Sequence, residues 1–340
     1  MKIIGVRENL STSHKNCFIE SKTKTASPEG RDLLIRIDAI SINPVDCKQR
    51  QMIEGYLEEP RILGWDACGE VISVGKDVEN FEPGDRVIYA GDITRLGCYA
   101  EFQLVDEQLV GPKPKGLTAE EAASLPLTSL AAWESLFDRL SLDQDKAKGQ
   151  AILIIGGSGG LGSMAIQFAK RLSQCNTVIT TASRDTSRDW CFKMGADHVL
   201  DHSKDLKEQL AALGYATVPY ILNCNNNLPY WEIMSDIISP EGSICLVAST
   251  KAKLDLDLFM KKSVQINWEL MFTRSIFSTP TMSKQGNILR RISELVESGI
   301  IRHTQTSRGG TISATTLAKA HQTVESGRMI GKLTLTGINT

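Results

Sequence analysis

The run Ala151-Ile-Leu-Ile-Ile-Gly-Gly-Ser-Gly-Gly-Leu-Gly-Ser163 constrains this chain more than any other stretch. An aliphatic segment ends at Gly156, glycines recur at Gly159 and Gly162, and Met164-Ala-Ile-Gln-Phe-Ala-Lys170 reads as a helix. A strand, a tight turn and a helix in that order form the first half of a dinucleotide-binding βαβ unit. Gly156 permits the turn, Gly159 lets backbone N–H groups approach a pyrophosphate, and Gly162 lets helix and strand pack closely. The segment Gly156, Ser158, Gly159, Gly160, Leu161 and Gly162 is therefore the candidate phosphate loop. The helix that follows would offer it unpaired N–H groups and a positive dipole end.

Asn176-Thr-Val-Ile-Thr-Thr-Ala182 is a β-branched run at the right distance to be the next parallel strand. A site for NAD places a carboxylate after this strand, on the ribose 2′-hydroxyl. This strand instead runs into Ser183-Arg184-Asp185-Thr186-Ser187-Arg188. A hydroxyl and a guanidinium suit a 2′-phosphate, which a carboxylate would repel, so Ser183 and Arg184 point to NADPH. Two other readings stay open. Asp185 could be the ribose-binding acid, and Arg184 and Arg188 could be a solvated helix start.

From 124 onward, strand and helix patterns alternate. Apolar runs follow at 198–200, 219–223, 243–248 and 264–271. With the first two they predict a six-stranded, doubly wound parallel sheet. The first part of the chain is β-rich, with strands at 32–41, 69–75, 86–88 and 97–105 separated by turns such as Glu82-Pro-Gly-Asp85. Thr118-Ala-Glu-Glu121 reads as a capping box. The C-terminal part carries a helix at 285–298 and a strand at 331–335. These patterns predict an α/β protein in which residues 1–123 and 274–340 form a β-rich domain around a Rossmann domain at 124–273.

At 340 residues the chain can build two cores. A net charge of −2, with no basic stripe, argues against a nucleic-acid partner. No apolar run approaches the roughly 20 residues that span a bilayer, and Met1-Lys-Ile-Ile-Gly-Val6 is strand-like rather than a leader, so a cytoplasmic location is expected. None of the eight cysteines lies in a C-x-x-C pair or beside a histidine at ligand spacing. Reduced, mostly buried thiols are expected.

Asn43-Pro-Val-Asp46, Gly64-Trp-Asp-Ala-Cys-Gly69, Gly84-Asp-Arg-Val87, Gly97-Cys-Tyr-Ala-Glu101, Ala123-Ser-Leu-Pro-Leu-Thr128, the glycine loop, Met194-Gly-Ala-Asp197 and Gly331-Lys332 follow one another along the chain. In that order they resemble the medium-chain dehydrogenase/reductase superfamily, and most of all its zinc-independent quinone oxidoreductase branch. The segment Trp268-Glu-Leu-Met-Phe-Thr-Arg274 is further similar to bacterial zinc-type alcohol dehydrogenase-like proteins. The resemblance covers nearly the whole chain and implies a GroES-like β-rich catalytic domain. Catalytic-zinc relatives carry a cysteine where Asn43 falls, and Gly-His-Glu where Gly64-Trp65-Asp66 stands. Catalytic zinc needs three protein ligands and an open position, so no metal is expected here.

Without a Lewis acid, a conjugated acceptor is the easier substrate. Hydride added to a quinone or an α,β-unsaturated carbonyl leaves a delocalised anion that hydrogen-bond donors can stabilise. The resemblance places Asn43 near the nicotinamide and the acceptor, as donor to a carbonyl oxygen or simply as a turn residue before Pro44. It makes Tyr56 a polar aromatic at the site's mouth or an exposed loop residue, and Trp65 the filler of the missing ligand's space or plain core. It puts Thr128 at the nicotinamide end, Asn223 where adenosine or ribose passes, and Lys332 near the cofactor or at the surface. A strand over 263–271 that pairs with its copy would make a homodimer. The expected activity is NADPH-dependent quinone or enone reduction. A zinc-type alcohol dehydrogenase and a non-catalytic NADPH-binding protein are the alternatives.

Overall fold

The computed structural model describes residues 1–338. The chain forms two compact units, one built from Met1–Leu130 with the stretch beginning at Phe272, the other from Ala131–Met271. The division between Leu130 and Ala131 lies inside the helix Pro126–Trp133, and the other falls between Met271 and Phe272.

The unit Ala131–Met271 carries six parallel strands. From edge to edge they run His198–Leu200, Thr177–Thr181, Ala151–Ile155, Val218–Asn223, Ile238–Leu246 and Gln265–Trp268. Numbered along the chain, the order is 3-2-1-4-5-6, the doubly wound arrangement. All five residues of Ala151–Ile155 are buried. That follows from its place inside a parallel sheet covered on both faces, where a strand reads as a continuous apolar run. Leu153, Ile155, Ile221 and Ile244 pack with Trp231, Met234 and Phe259. Met164, Ile166 and Phe168 of the helix Gly160–Arg171 are also buried. The last strand, expected over 264–271, is the shorter Gln265–Trp268.

The other unit holds two sheets. In the larger, Asp32–Ser41 pairs antiparallel with Ala67–Val74, Phe102–Asp106 and Lys332–Thr336. Its burial alternates along most of its length, as a sheet with one covered face requires. Lys332–Thr336 therefore lies beside the end of Asp32–Ser41, with Thr334 opposite Ser41. That register carries Lys332 to the segment leading into the helix Pro44–Gln51. The helix Ala314–Glu325 also packs on Pro44–Gln51. No helix among the described residues is long and apolar enough to cross a membrane.

Candidate active site

In the unit Ala131–Met271, the parallel register sets Ile154 beside Thr180 and Ile155 beside Asn223. The loops after these three strands consequently emerge at one end of the sheet. Gly156 turns the chain with φ +86°, and its N–H donates to Thr181 Oγ1 at 3.0 Å. A Cβ on Gly162 would lie 2.3 Å from the Gly156 carbonyl oxygen, so only glycine lets the helix sit this close to the loop. Gly157 carries a constraint the sequence pattern did not reveal: its Cβ would lie 1.9 Å from Thr180 Oγ1. Gly159 differs, since its Cβ would meet nothing nearer than the Gly156 oxygen at 3.9 Å. It begins the helix Gly160–Arg171 in extended conformation with no side-chain cap. The leading N–H groups are thus left for an anion, and the space above Gly159 is what an added Cβ would fill. Ser158, Gly160 and Leu161 are half-buried around this opening. This cradle fits a dinucleotide pyrophosphate.

Ser183 is exposed and Arg184 half-buried beyond the strand Thr177–Thr181. Ser187 Oγ donates to the Arg184 carbonyl at 2.7 Å and fixes the start of the helix Asp185–Met194. Asp185 is exposed in the first helical turn, where a carboxylate complements the helix dipole. Asn223 is fully buried; its Nδ2 donates to Asn227 Oδ1 at 2.9 Å, and its Oδ1 accepts from the Asn225 N–H at 3.0 Å. Its amide thus shapes the loop 224–227.

In the other unit, Asn43 precedes the helix Pro44–Gln51, and its backbone N–H donates to Asp46 Oδ2 at 2.8 Å. Its side chain, 1% exposed, belongs to a buried polar cluster. Asn43 Nδ2 donates to Asp66 Oδ2 at 3.0 Å, and Lys332 Nζ lies 3.2 Å from that same oxygen. Lys332 also donates to Asn43 Oδ1 and, at 3.0 Å, to the Ile42 carbonyl. Three ammonium hydrogens thus meet three partners, and Lys332, itself 1% exposed, is neither at the surface nor left with a donor for a phosphate. Thr128 is buried, its hydroxyl within reach of the Ser124 and Leu125 carbonyls at 3.4 and 3.3 Å. Tyr56 is 66% exposed, with the Arg7 guanidinium 5.6 Å from its ring centre.

Asp66, Tyr99 and His321 were not foreseen as site residues. Asp66 and Tyr99 stand inside quoted motifs, whereas His321 has no sequence signal at all. Tyr99 O–H donates to Asp46 Oδ2 at 3.3 Å and lies 2.9 Å from His321 Nε2. Burial raises the Asp46 carboxyl to about 7 and lowers the His321 imidazole to about 3, with Arg50 adding to the latter. Burial also raises Asp66, against the opposing pull of Lys332.

The two titrations act on stability with opposite signs. Between roughly pH 4 and 7 the folded chain holds an Asp46 proton that the unfolded chain has lost, so this group weakens the fold as pH rises. Between about pH 3 and 6.5 the unfolded chain binds a His321 proton that the folded chain refuses, so this group strengthens the fold as pH rises. Wild-type stability minus that of His321→Gln should therefore climb by up to about 1.4 kcal/mol per pH unit from pH 4 to 6.5 and then level off. Urea melts across that range measure it, and a flat difference would refute the assignment.

Trp65 is 1% exposed, packs edge-on against Phe272 and donates its indole N–H to the Asp92 carbonyl at 3.0 Å. The Asn43 side chain is bonded to Asp66 and Lys332. Among the described residues no group of three or more His, Cys, Asp or Glu is placed to hold a metal ion. The donor set does not fit a catalytic zinc.

Residues 29–115 match the alcohol dehydrogenase GroES-like domain, and residues 160–292 match the zinc-binding dehydrogenase family. A zinc-type alcohol dehydrogenase-like protein of Staphylococcus aureus is 41% identical over 337 residues, covering 98% of this chain and 99% of its own. The chain is a medium-chain dehydrogenase/reductase. Its fold as an oxidoreductase of this superfamily is shared with a candidate zinc-dependent alcohol dehydrogenase of Rhizobium etli, at TM-score 0.95 and 42% identity over 100% of this chain and 99% of that one. A chloroplastic quinone-oxidoreductase of Triphysaria versicolor is 32% identical over 222 residues, 64% of this chain and 66% of its own. This medium-chain dehydrogenase/reductase therefore has zinc-type names among its relatives, while its own described residues include no group placed to hold a metal ion.

Proposed function

We propose that this medium-chain dehydrogenase/reductase reduces a quinone or an α,β-unsaturated carbonyl with NADPH and without a catalytic metal. The observation that carries the reading is that no group of three or more His, Cys, Asp or Glu among the described residues is placed to hold a metal ion, while Asn43 and the Trp65 indole N–H are bonded within the protein. The quinone-oxidoreductase name of the Triphysaria relative supports the same substrate class. The N–H groups around Gly159 and Gly160 would hold the pyrophosphate, and the Ser183 hydroxyl and Arg184 guanidinium would hold the 2′-phosphate. When bound, the reduced nicotinamide supplies the hydride. The resemblance sets Asn43 beside the acceptor; one Nδ2 hydrogen goes to Asp66, and the other would donate to the acceptor's carbonyl oxygen, where negative charge develops. Conjugation spreads that charge, so a neutral donor and a solvent proton suffice.

The test follows NADPH and NADH oxidation with 1,4-benzoquinone, 9,10-phenanthrenequinone, an enone and a simple aldehyde, each with and without EDTA. The reading requires NADPH-preferring, EDTA-insensitive turnover of quinone or enone. Arg184→Ala should raise the KM for NADPH by about tenfold, the worth of one charge-assisted contact, and leave that for NADH unchanged. Aldehyde turnover lost with EDTA would establish a metal enzyme instead. NADPH binding with no turnover would favour a binding protein.

We further propose a homodimer through the edge strand Gln265–Trp268. Its outer side lacks a strand partner among the described residues, and Trp268, Leu270, Leu256 and Met260 are 53%, 49%, 62% and 70% exposed. An open apolar edge is a template for pairing with another chain. Light scattering at micromolar concentration should give twice the 37.3 kDa chain mass. A monomeric mass would exclude the dimer.

A further inference from the structure

Burying an ammonium and a carboxylate side by side is rarely the most stable choice, since an apolar pair of similar volume often serves as well. Lys332 and Asp66 are 1% and 0% exposed, and both touch the side chain of Asn43. The contacts close a ring: Lys332 Nζ to Asn43 Oδ1, Asn43 Nδ2 to Asp66 Oδ2 at 3.0 Å, and Asp66 Oδ2 back to Lys332 Nζ at 3.2 Å. An amide has two faces that differ in sign, one accepting and one donating. A flip of Asn43 would set its NH2 group against the ammonium and its oxygen against the carboxylate. The ring therefore allows a single orientation. The rest of the cluster pins the ring in place, with Lys332 donating to the Ile42 carbonyl and Asp66 Oδ1 accepting from the Leu127 N–H at 3.1 Å.

An amide NH2 carries two hydrogens, and Asp66 takes one of them. A cation on the carbonyl oxygen withdraws electron density from the nitrogen and offsets what the carboxylate on the first N–H returns to it. We propose that Lys332 and Asp66 are positioning residues for Asn43, fixing the direction of its amide so that its second N–H is the donor to the acceptor's carbonyl oxygen. The proposal rests on the reading of Asn43 given above. It assigns to a buried ion pair, acting through a neutral amide, part of the charge stabilisation a Lewis acid supplies elsewhere.

A double-mutant cycle on the full-length enzyme tests it. Asp66→Asn with Lys332→Gln removes both charges and keeps hydrogen-bonding side chains of similar reach. With 9,10-phenanthrenequinone and NADPH, this double variant should lose roughly tenfold to a hundredfold in kcat at an unchanged KM for NADPH, the scale expected when an oriented group is loosened. Asn43→Ala should lose a similar factor. Adding it to the double variant should lose nothing more, because the pair acts only through the amide. Independent, multiplying losses would overturn the proposal while leaving Asn43 as donor, as would a double variant within twofold of the wild-type kcat. Wild-type kcat in Asn43→Ala would overturn the reading of Asn43 and the proposal with it. If the double variant does not fold, the wild-type protein labelled with 15N-asparagine decides. The side-chain amide resonances lost in Asn43→Ser should exchange slowly with solvent, and exchange as fast as that of an exposed asparagine would exclude a fixed amide.

Discussion

Gly162→Ala is expected to abolish measurable NADPH binding and to destabilise the protein, whereas Gly159→Ala should keep full stability and lose only affinity. The difference follows from what each new methyl group meets. At Gly162 it would lie 2.3 Å from the Gly156 oxygen and 2.7 Å from the Gly157 Cα, both backbone atoms that a rotamer change cannot move. The loop must shift, at about 1–3 kcal/mol for an overpacked contact, and the cradle shifts with it. At Gly159 the backbone is at φ −72° and ψ 171°, ordinary for any residue, and the protein leaves the space open. An alanine there collides only with a bound ligand, and a tenfold to hundredfold weakening corresponds to about 1.4–2.7 kcal/mol. Fluorescence titration with NADPH and thermal melts separate the cases. Gly159→Ala with wild-type affinity would mean that no pyrophosphate lies over this loop.

Lys332→Met should reduce stability by about 3–5 kcal/mol, the usual consequence of leaving one partner of a buried ion pair alone. Asp66 would then keep a buried carboxylate served by Asn43 Nδ2 and the Leu127 N–H only. With burial already raising its pKa and the opposing Lys332 charge gone, the lone acid would take up a proton more readily than in the wild type. Asp66→Asn in the same chain should recover most of the loss, since no charge then remains to be solvated. Denaturant melts of the single and double variants measure this. A single variant as stable as the wild type would mean that water reaches the cluster.

The doubly wound sheet was legible because each strand is a local event. A continuous apolar run bounded by a glycine turn and a helix carries its own signal, and six of them in alternation leave few topologies. The jobs of Gly156 and Gly162 were legible for the same reason. Gly157 was not, because its constraint comes from Thr180 on the next strand. The polar cluster was even less so. Lys332 and Asn43 meet across 289 positions of sequence, and Tyr99 and His321 across 222. Sequence read Lys332 as a residue near the cofactor or a surface lysine, the ordinary choices for a charged side chain, and a buried ammonium needs partners no spacing discloses. Asp66 was visible only as the companion of Trp65 in a departure from a zinc motif. Tyr56 lay between a site-mouth residue and a loop residue, and its exposure is compatible with both.

The strand Thr177–Thr181 has two attachments. Thr180 donates to the Ile154 carbonyl at 2.7 Å and walls in Gly157, while Thr181 receives the Gly156 N–H. Two residues later the same strand delivers Ser183 and Arg184. The elements that shape the glycine loop are therefore separate from the side chains proposed to choose between the two nicotinamide dinucleotides, although one strand carries both. On that reading, a lineage descended from this protein could trade residues 183–185 for an acidic set and change its source of reducing equivalents in a few mutational steps, with Thr180 and Thr181 still holding the glycine loop in place.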